Sequence, residues 1–314
     1  MIIADANGAA TNTAIVSHLS PGNRYYFSVR SRSVYSTFVS EFSNEVSAIV
    51  SDHGSQDLIG FGTLDNLDHN WSTVSTNGLA SVSGLSGTPV LIAGVPTYHG
   101  THPGVLRAMN VNTNGFEIRF QEWDYVDGNH VQESIDYLLL NAGRTALSDG
   151  SILEVGSFNL DGTDHWKFVS FRESFAAPPL VLLSVQTYNG PQAVSIKVRR
   201  VSATGFQASM FEQESLMDGH LPETVGYLAL HSPSGSGEIT IDGSAVPYLV
   251  QRIIADARWS PVGSHYLKIE EEQSANKEIA HIDEQIDVLL LGNKLFAQVV
   301  SHNGADTVAL RRIR

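Results

Sequence analysis

Three segments of the chain share the pattern His-x-x-Glu-x-(Ile/Val)-x-x-Leu: His130 with Glu133, His220 with Glu223, and His281 with Glu284. Imidazole and carboxylate are the donor types of zinc and calcium sites. On a strand, positions i and i+3 face opposite sides, so such a pair cannot chelate one ion without a bulge. With the histidine in the loop before the strand, the pair converges with carboxylates eight or nine residues earlier, at Glu122, Glu212 and Glu272. The same spacing suits a hairpin loop tied down by a His–Glu pair in every copy. That structural pairing is the expectation for all six residues, with no metal and no cofactor.

Other chemistry is thinly represented. There is no Gly-x-Ser-x-Gly and no His-Glu-x-x-His, and no Gly-rich phosphate loop joins a strand to a helix. Glu122 with Asp124 is a carboxylate pair of the kind that serves glycoside cleavage, although acids also recur at loop ends because they are solvated there. The absence of Cys excludes thiolate metal sites, Cys nucleophiles and disulfides. With 19 basic against 33 acidic residues the formal charge is −14, which argues against nucleic acid as a partner. No apolar run approaches the roughly 18 residues of a membrane-spanning helix, so membrane insertion is not expected. Met1-Ile2-Ile3-Ala4-Asp5 does not read as a signal peptide. Aromatic residues beside acids and amides are more suggestive, because apolar sugar faces stack on rings while polar groups bond hydroxyls. Tyr98, Trp123 and Tyr125 are such residues.

The elements that must position these groups are short and alternating. Tyr25–Arg30, Phe116–Phe120 and Tyr266–Glu270 read as two-faced strands. Val90–Ala93 and Leu180–Leu183 read as strands buried on both faces. Ile282–Phe296 has apolar residues at helical spacing, but its place in the repeat favours strand. The expected fold class is all-β.

An internal repeat organises the chain. At a constant offset of 90, Pro89–Leu140 matches Pro179–Leu230 with fourteen identities, among them Thr97/Thr187, Tyr98/Tyr188, Gly100/Gly190, Glu122/Glu212, His130/His220, Glu133/Glu223 and Tyr137/Tyr227. A His–Trp signal precedes each copy, at His69-Asn70-Trp71 and His165-Trp166. A fainter third copy starts near Trp259. A period near 90 residues suits tandem antiparallel β-sandwiches, here 51–146, 147–235 and a degenerate third unit at 236–314. Ser232–Gly237 reads as a linker.

Two resemblances bear on these units. Leu19–Ser31, with its turn and Tyr25, and Ser40–Ser47 resemble the last strands of a fibronectin type III domain, so 1–50 is expected to be the C-terminal part of such a sandwich. Its front half would come from an upstream part of a longer parent or from a partner. Thr88–Ala93, Arg107, Asn114–Phe120, Trp123-Asp124 and Ile135–Leu138 together resemble the H-type lectin pattern. That family is a six-stranded antiparallel sandwich that forms trimers and binds galactose-type sugars in clefts between neighbouring subunits.

The resemblance implies a homotrimer with Arg107 and Trp123-Asp124 near the sugar. Trp123 has no counterpart in the second copy, where Gln213 stands, which points to an exposed role for its ring. The full carbohydrate site expected on the first unit is Tyr98, His99, His102, Arg107, Glu122, Trp123, Asp124 and Tyr125, with the second unit a spacer. The expected function is non-enzymatic recognition of a cell-surface glycan by the distal part of a phage tail fibre or tail-tip protein, on the virion or, alternatively, at an extracellular or bacterial cell surface. The alternatives are an accessory carbohydrate-binding region of a secreted bacterial polysaccharide-degrading enzyme or surface adhesin, and a metal-dependent hydrolase using the His-x-x-Glu clusters.

Overall fold

A computed structural model describes residues 24–31, 38–49, 60–76, 87–147, 149–216, 218–241, 244–304 and 306–313. The chain divides into an N-terminal unit, 1–54, and a larger unit, 55–314. In the N-terminal unit, β1 (Arg24–Phe27) pairs antiparallel with β2 (Val46–Ile49). Tyr26, Val29, Phe38, Phe42 and Val46 are exposed there. The turn expected at Leu19–Asn23 lies outside the described residues.

The larger unit holds three sandwiches. In the first, β3 (Phe61–Leu67), β8 (Glu133–Leu140) and β5 (Val90–Ala93) form one sheet. The other contains β4 (Ser72–Ser75), β7 (Gly115–Glu122) and β6 (Gly104–Asn112). The second adds an edge strand, β9 (Gly143–Ala146), to the order β12 (Leu180–Val185), β15 (Glu223–His231), β10 (Ile152–Leu160). Facing it is the sheet of β11 (Lys167–Ser170), β14 (Gly205–Phe211) and β13 (Ser195–Arg199). All the pairings are antiparallel, as the all-β reading and the 90-residue repeat require.

The third sandwich is complete rather than degenerate. One sheet runs β16 (Ser236–Ile241), β17 (Ser244–Ala255), β20 (Glu284–Leu291), β21 (Lys294–Val299). Its partner sheet runs β18 (Ser260–Val262), β19 (His265–Glu271), β22 (Val308–Ile313). The ambiguous stretch 282–296 is strand, not helix. By sheet order, β21 and β22 take the places of β5 and β6, but they follow rather than precede the His-x-x-Glu strand. The same six positions are therefore filled in a permuted chain order.

β8, β15 and β20 are apolar on both faces because both faces are covered, with successive residues pointing to opposite sides. Ile135, Tyr137 and Leu139 enter the first sandwich core, whereas Leu138 and Leu140 point the other way. Those outward residues meet Leu228 and Leu230 of the second sandwich and Leu289 and Leu291 of the third in one shared cluster. Each sandwich thus has its own core, and a fourth core lies where the three sheets back onto one another. Of the expected linker Ser232–Gly237, Ser232–Gly235 is a turn, with Ser232 bonded to Tyr248, and Ser236 and Gly237 already belong to β16.

Candidate functional site

The His-x-x-Glu motifs form one repeated construction. In the first sandwich His130 sits in the loop before β8, with Nδ1 2.8 Å from Glu122 and Nε2 3.0 Å from Glu133. In the second, His220 faces Glu212 at 2.9 Å and Glu223 at 3.1 Å. Both histidines are buried, and each makes the hairpin pairing that the sequence suggests. The glutamate then collects a neighbouring loop: Glu133 accepts from Thr97 Oγ1 and from the backbone N–H of His99 and Gly100. Glu223 accepts from Thr187, Asn189 and Gly190, and Glu284 from Ser301, Asn303 and Gly304.

Those loops carry a glycine that the packing requires. A Cβ on Gly100 would lie 2.8 Å from His130 Cε1, one on Gly190 2.7 Å from His220 Cε1, and one on Gly304 2.9 Å from His281 Cε1. No side chain fits between the loop and the ring.

Seven residues after each glycine comes a fully buried cation, and it reaches into the next sandwich. Arg107 Nη2 lies 2.8 Å from Glu223, and the arginine also donates to the carbonyls of Gly190 and Gln192. Lys197 Nζ donates to the carbonyls of Gly304 and Asp306 and lies 3.9 Å from Glu284. Arg311 Nη2 lies 2.6 Å from Glu133, and the side chain bonds the carbonyls of Thr97, Gly100 and His102. First binds second, second binds third, and third binds first. The three sandwiches close into a ring within one chain.

Backbone amides repeat the same order. Leu91 N–H donates to Gln186, Val181 N–H to Asp287, and Leu295 N–H to Asp136. Aromatic contacts repeat it again, at 5.2 Å for Trp71 with Tyr188, 5.1 Å for Trp166 with His302, and 5.6 Å for Trp259 with Tyr98. A cation lies over each tryptophan: Arg119, Arg199 and Lys268 respectively. A cavity of about 130 Å³ between the sandwiches is lined by Val95, Val185 and Val299 in equivalent places.

The electrostatics follow from this packing. Burial alone would raise the Glu133 carboxyl, but hydrogen bonds from His130, Gly100 and Thr97 and the Arg311 charge hold it down at about 2. Burial likewise opposes ionisation of Glu284, yet bonds from His281, Ser301 and Asn303, with the Lys197 charge, hold it at about 2. Burial pushes the Arg107 and Lys197 cations down from their ordinary values, against the pull of Glu223 and Glu284.

This architecture corrects the carbohydrate site expected from sequence. Arg107 is 0% exposed and spent on Glu223, so no sugar reaches it. Trp123 is 1% exposed, packed with Val105 and Ala193 and against Ala309 of the third sandwich. The residues after the shared glutamates meet where the sandwiches join: Gln213 accepts from Tyr125 N–H, and Glu272 accepts from Glu214 N–H. Trp123 is the apolar member of that meeting, which is why it lacks a counterpart. Glu122 is also buried, held by His130, His102 and Gly128. Asp124 and Tyr125 are exposed, and the Tyr125 hydroxyl accepts from Gln273 N–H. The second sandwich forms one third of the ring.

Tyr98 and His99 do line an open cleft. It measures about 590 Å³ at the junction of the first and third sandwiches, where Thr63, Asp65, Thr97 and Ser134 meet Asn293, Arg312 and Ile313. Asp65 accepts from Ser134 Oγ at 2.8 Å, and Asp136 holds Arg312 at 2.5 Å at its base. A second cleft of about 420 Å³ is lined by His69, Arg119, Gln121, Glu122, Asp124 and Asp127. The three tryptophans and their cations were missed as junction residues, although the recurring His–Trp signal marked two of them.

The third sandwich departs from the other two. Its first carboxylate partner is Glu271 rather than the expected Glu272, at 3.5 Å from His281 Nδ1. Burial, then the neighbouring Asp306 carboxylate, pushes the Glu271 carboxyl up to about 7.

No protein-family model matches the chain, and no solved structure matches it. Halomucin of Haloquadratum walsbyi is 33% identical to it over 131 residues, 40% of this chain. That match spans about 1% of the length of halomucin.

Proposed function

We propose that this chain is a non-enzymatic glycan-recognition module, with its sugar site in the cleft between the first and third sandwiches. The observation that carries the reading is the make-up of that cleft. One half-buried aromatic residue, Tyr98, its ring already against Trp259, Lys268 and Arg311, stands beside hydroxyls, an amide and a carboxylate from Thr63, Ser134, Asn293 and Asp65. Polar groups of mixed type gathered in an open cleft suit the bonding of sugar hydroxyls, and about 590 Å³ lies within the range of small-ligand sites. The H-type lectin resemblance puts sugars in clefts between subunits. In this reading the junctions of a single-chain ring serve as those clefts, in place of a homotrimer.

A longer fibre or surface protein, on a virion or a cell, is the carrier we propose. The partial match within the far longer halomucin supports a modular use. Each site alone binds weakly, and presentation of several copies on such a carrier multiplies the avidity.

A glycan array probed with the purified full chain tests the reading. Retention on one class of oligosaccharide, competed by that oligosaccharide free in solution, supports it. Failure to retain any glycan rejects it.

A further inference from the structure

We propose that Glu271, His281 and Asp306 form a binding site for one divalent transition-metal ion, with zinc the best match, in the third sandwich alone. The three donor atoms lie within 4.8 Å of one another. His281 Nδ1 is 3.5 Å from Glu271 Oε2 and 3.9 Å from Asp306 Oδ2. Neither contact is a hydrogen bond: the atoms of the first have no hydrogen-bond partner among the described residues, and the second is too long. Both distances are close to the separation of about 3.4 Å between two ligands of a tetrahedral ion bound at about 2.0–2.2 Å.

The donors are also unspent. Glu271 is 2% exposed and His281 6% exposed, yet among the described residues neither Glu271 oxygen nor His281 Nδ1 has a hydrogen-bond partner. A buried carboxylate left so is costly unless a cation meets it. The other face of the ring is occupied, since His281 Nε2 points at Glu284 Oε1 at 3.5 Å. A carboxylate behind a metal-binding imidazole fixes the tautomer that leaves the near nitrogen free to coordinate.

Comparison with the other sandwiches shows what has changed. There the same histidine closes onto its first glutamate at 2.8 Å and 2.9 Å, leaving no room for an ion. Ten residues separate Glu271 from His281, against eight in the other copies, and the longer loop lets the ring stand off. The position of Asp306 is taken by His102 in the first sandwich and Gln192 in the second. His102, Glu122 and Asp127 also cluster, but the Glu122 oxygens there are used by His102, His130 and Gly128.

The fully buried Lys197 lies 3.9 Å from Glu284, the carboxylate behind the imidazole. The Asp306 side chain, one-third exposed, opens the site to solvent and leaves a position for water. The Asp306 carbonyl accepts from Lys197 at 2.6 Å, so an ion here braces the loop that clasps the second sandwich to the third.

Metal-stripped full chain, titrated with Zn²⁺ by calorimetry and with Co²⁺ by visible absorption, tests the site. One ion per chain, a rise in melting temperature, and weakening by at least about tenfold in Asp306→Asn are expected. Asp127→Asn, at the equivalent cluster of the first sandwich, should bind as the parent does. Nitrogen-15 imidazole spectra of the parent provide a readout that needs no variant: Zn²⁺ should move Nδ1 of His281. Absence of binding by the parent, equal binding by a folded Asp306→Asn, or a shift at His102 instead of His281 overturns the proposal.

Discussion

Arg311 Nη2 lies 2.6 Å from Glu133 Oε1 although 178 positions of chain separate them, and both side chains are fully buried. The last described strand therefore holds the first sandwich. With Arg107 on Glu223 and Lys197 on Glu284, it closes a ring that local contacts alone do not specify.

Removing one member of such a pair strands the other without solvent. Arg311→Ala should cost about 3–5 kcal/mol of unfolding free energy, measured by urea denaturation. Arg311→Lys should cost clearly less, because Lys197 fills the equivalent place at the next junction. Equal losses for the two variants would mean that the arginine acts through packing rather than charge.

Trp123 makes a prediction opposite to the one its sequence position suggests. At 1% exposure, Trp123→Ala opens a cavity between sandwiches and should cost about 3–5 kcal/mol. The melting temperature reports it. A variant as stable as the parent would show that the ring is not the packing residue described.

Much of the fold was legible because its signals are local. Strands such as Phe116–Phe120 alternate visibly, and the ungapped 90-residue repeat carried the His–Glu pairing from one sandwich to the next. The third sandwich was less legible because its strands are permuted. Val299, Ser301, Gly304 and Arg311 repeat the spacing of Val95, Thr97, Gly100 and Arg107, but they come after the His-x-x-Glu strand. An alignment that keeps chain order misses them and settles on Glu272 instead of Glu271. Burial of Arg107 and Trp123 was hidden for another reason. A polar or aromatic residue at a junction between sandwiches looks like one at a ligand cleft until the neighbouring sandwich is in place.

Gly190→Ala tests the loop beneath the histidine. The added Cβ would meet His220 Cε1 at 2.7 Å, and either the ring or the loop must move. A loss of about 1–3 kcal/mol is expected from overpacking, read as a lower urea midpoint at unchanged slope. No change would mean that the loop is free to yield.

Acid should open the ring. Glu133 and Glu284 sit at about 2 in the folded chain, below their ordinary 4.5. A depressed carboxyl contributes stability that is present above about pH 4.5 and is lost as pH falls toward about 2. Melting temperature against pH should therefore fall through that window, and Glu133→Gln should flatten the slope. A steeper fall in the variant would contradict the assignment.

Glycan recognition at the junction of the first and third sandwiches is tested most directly by comparing the parent with Asp65→Asn and His99→Ala on the glycan that the parent retains. Both residues are exposed in the cleft, so the variants should fold as the parent does. Each should bind that glycan about tenfold or more weaker in calorimetry, the loss of one charged or aimed hydrogen bond. Affinities equal to the parent's in both folded variants would place the sugar elsewhere and contradict the account.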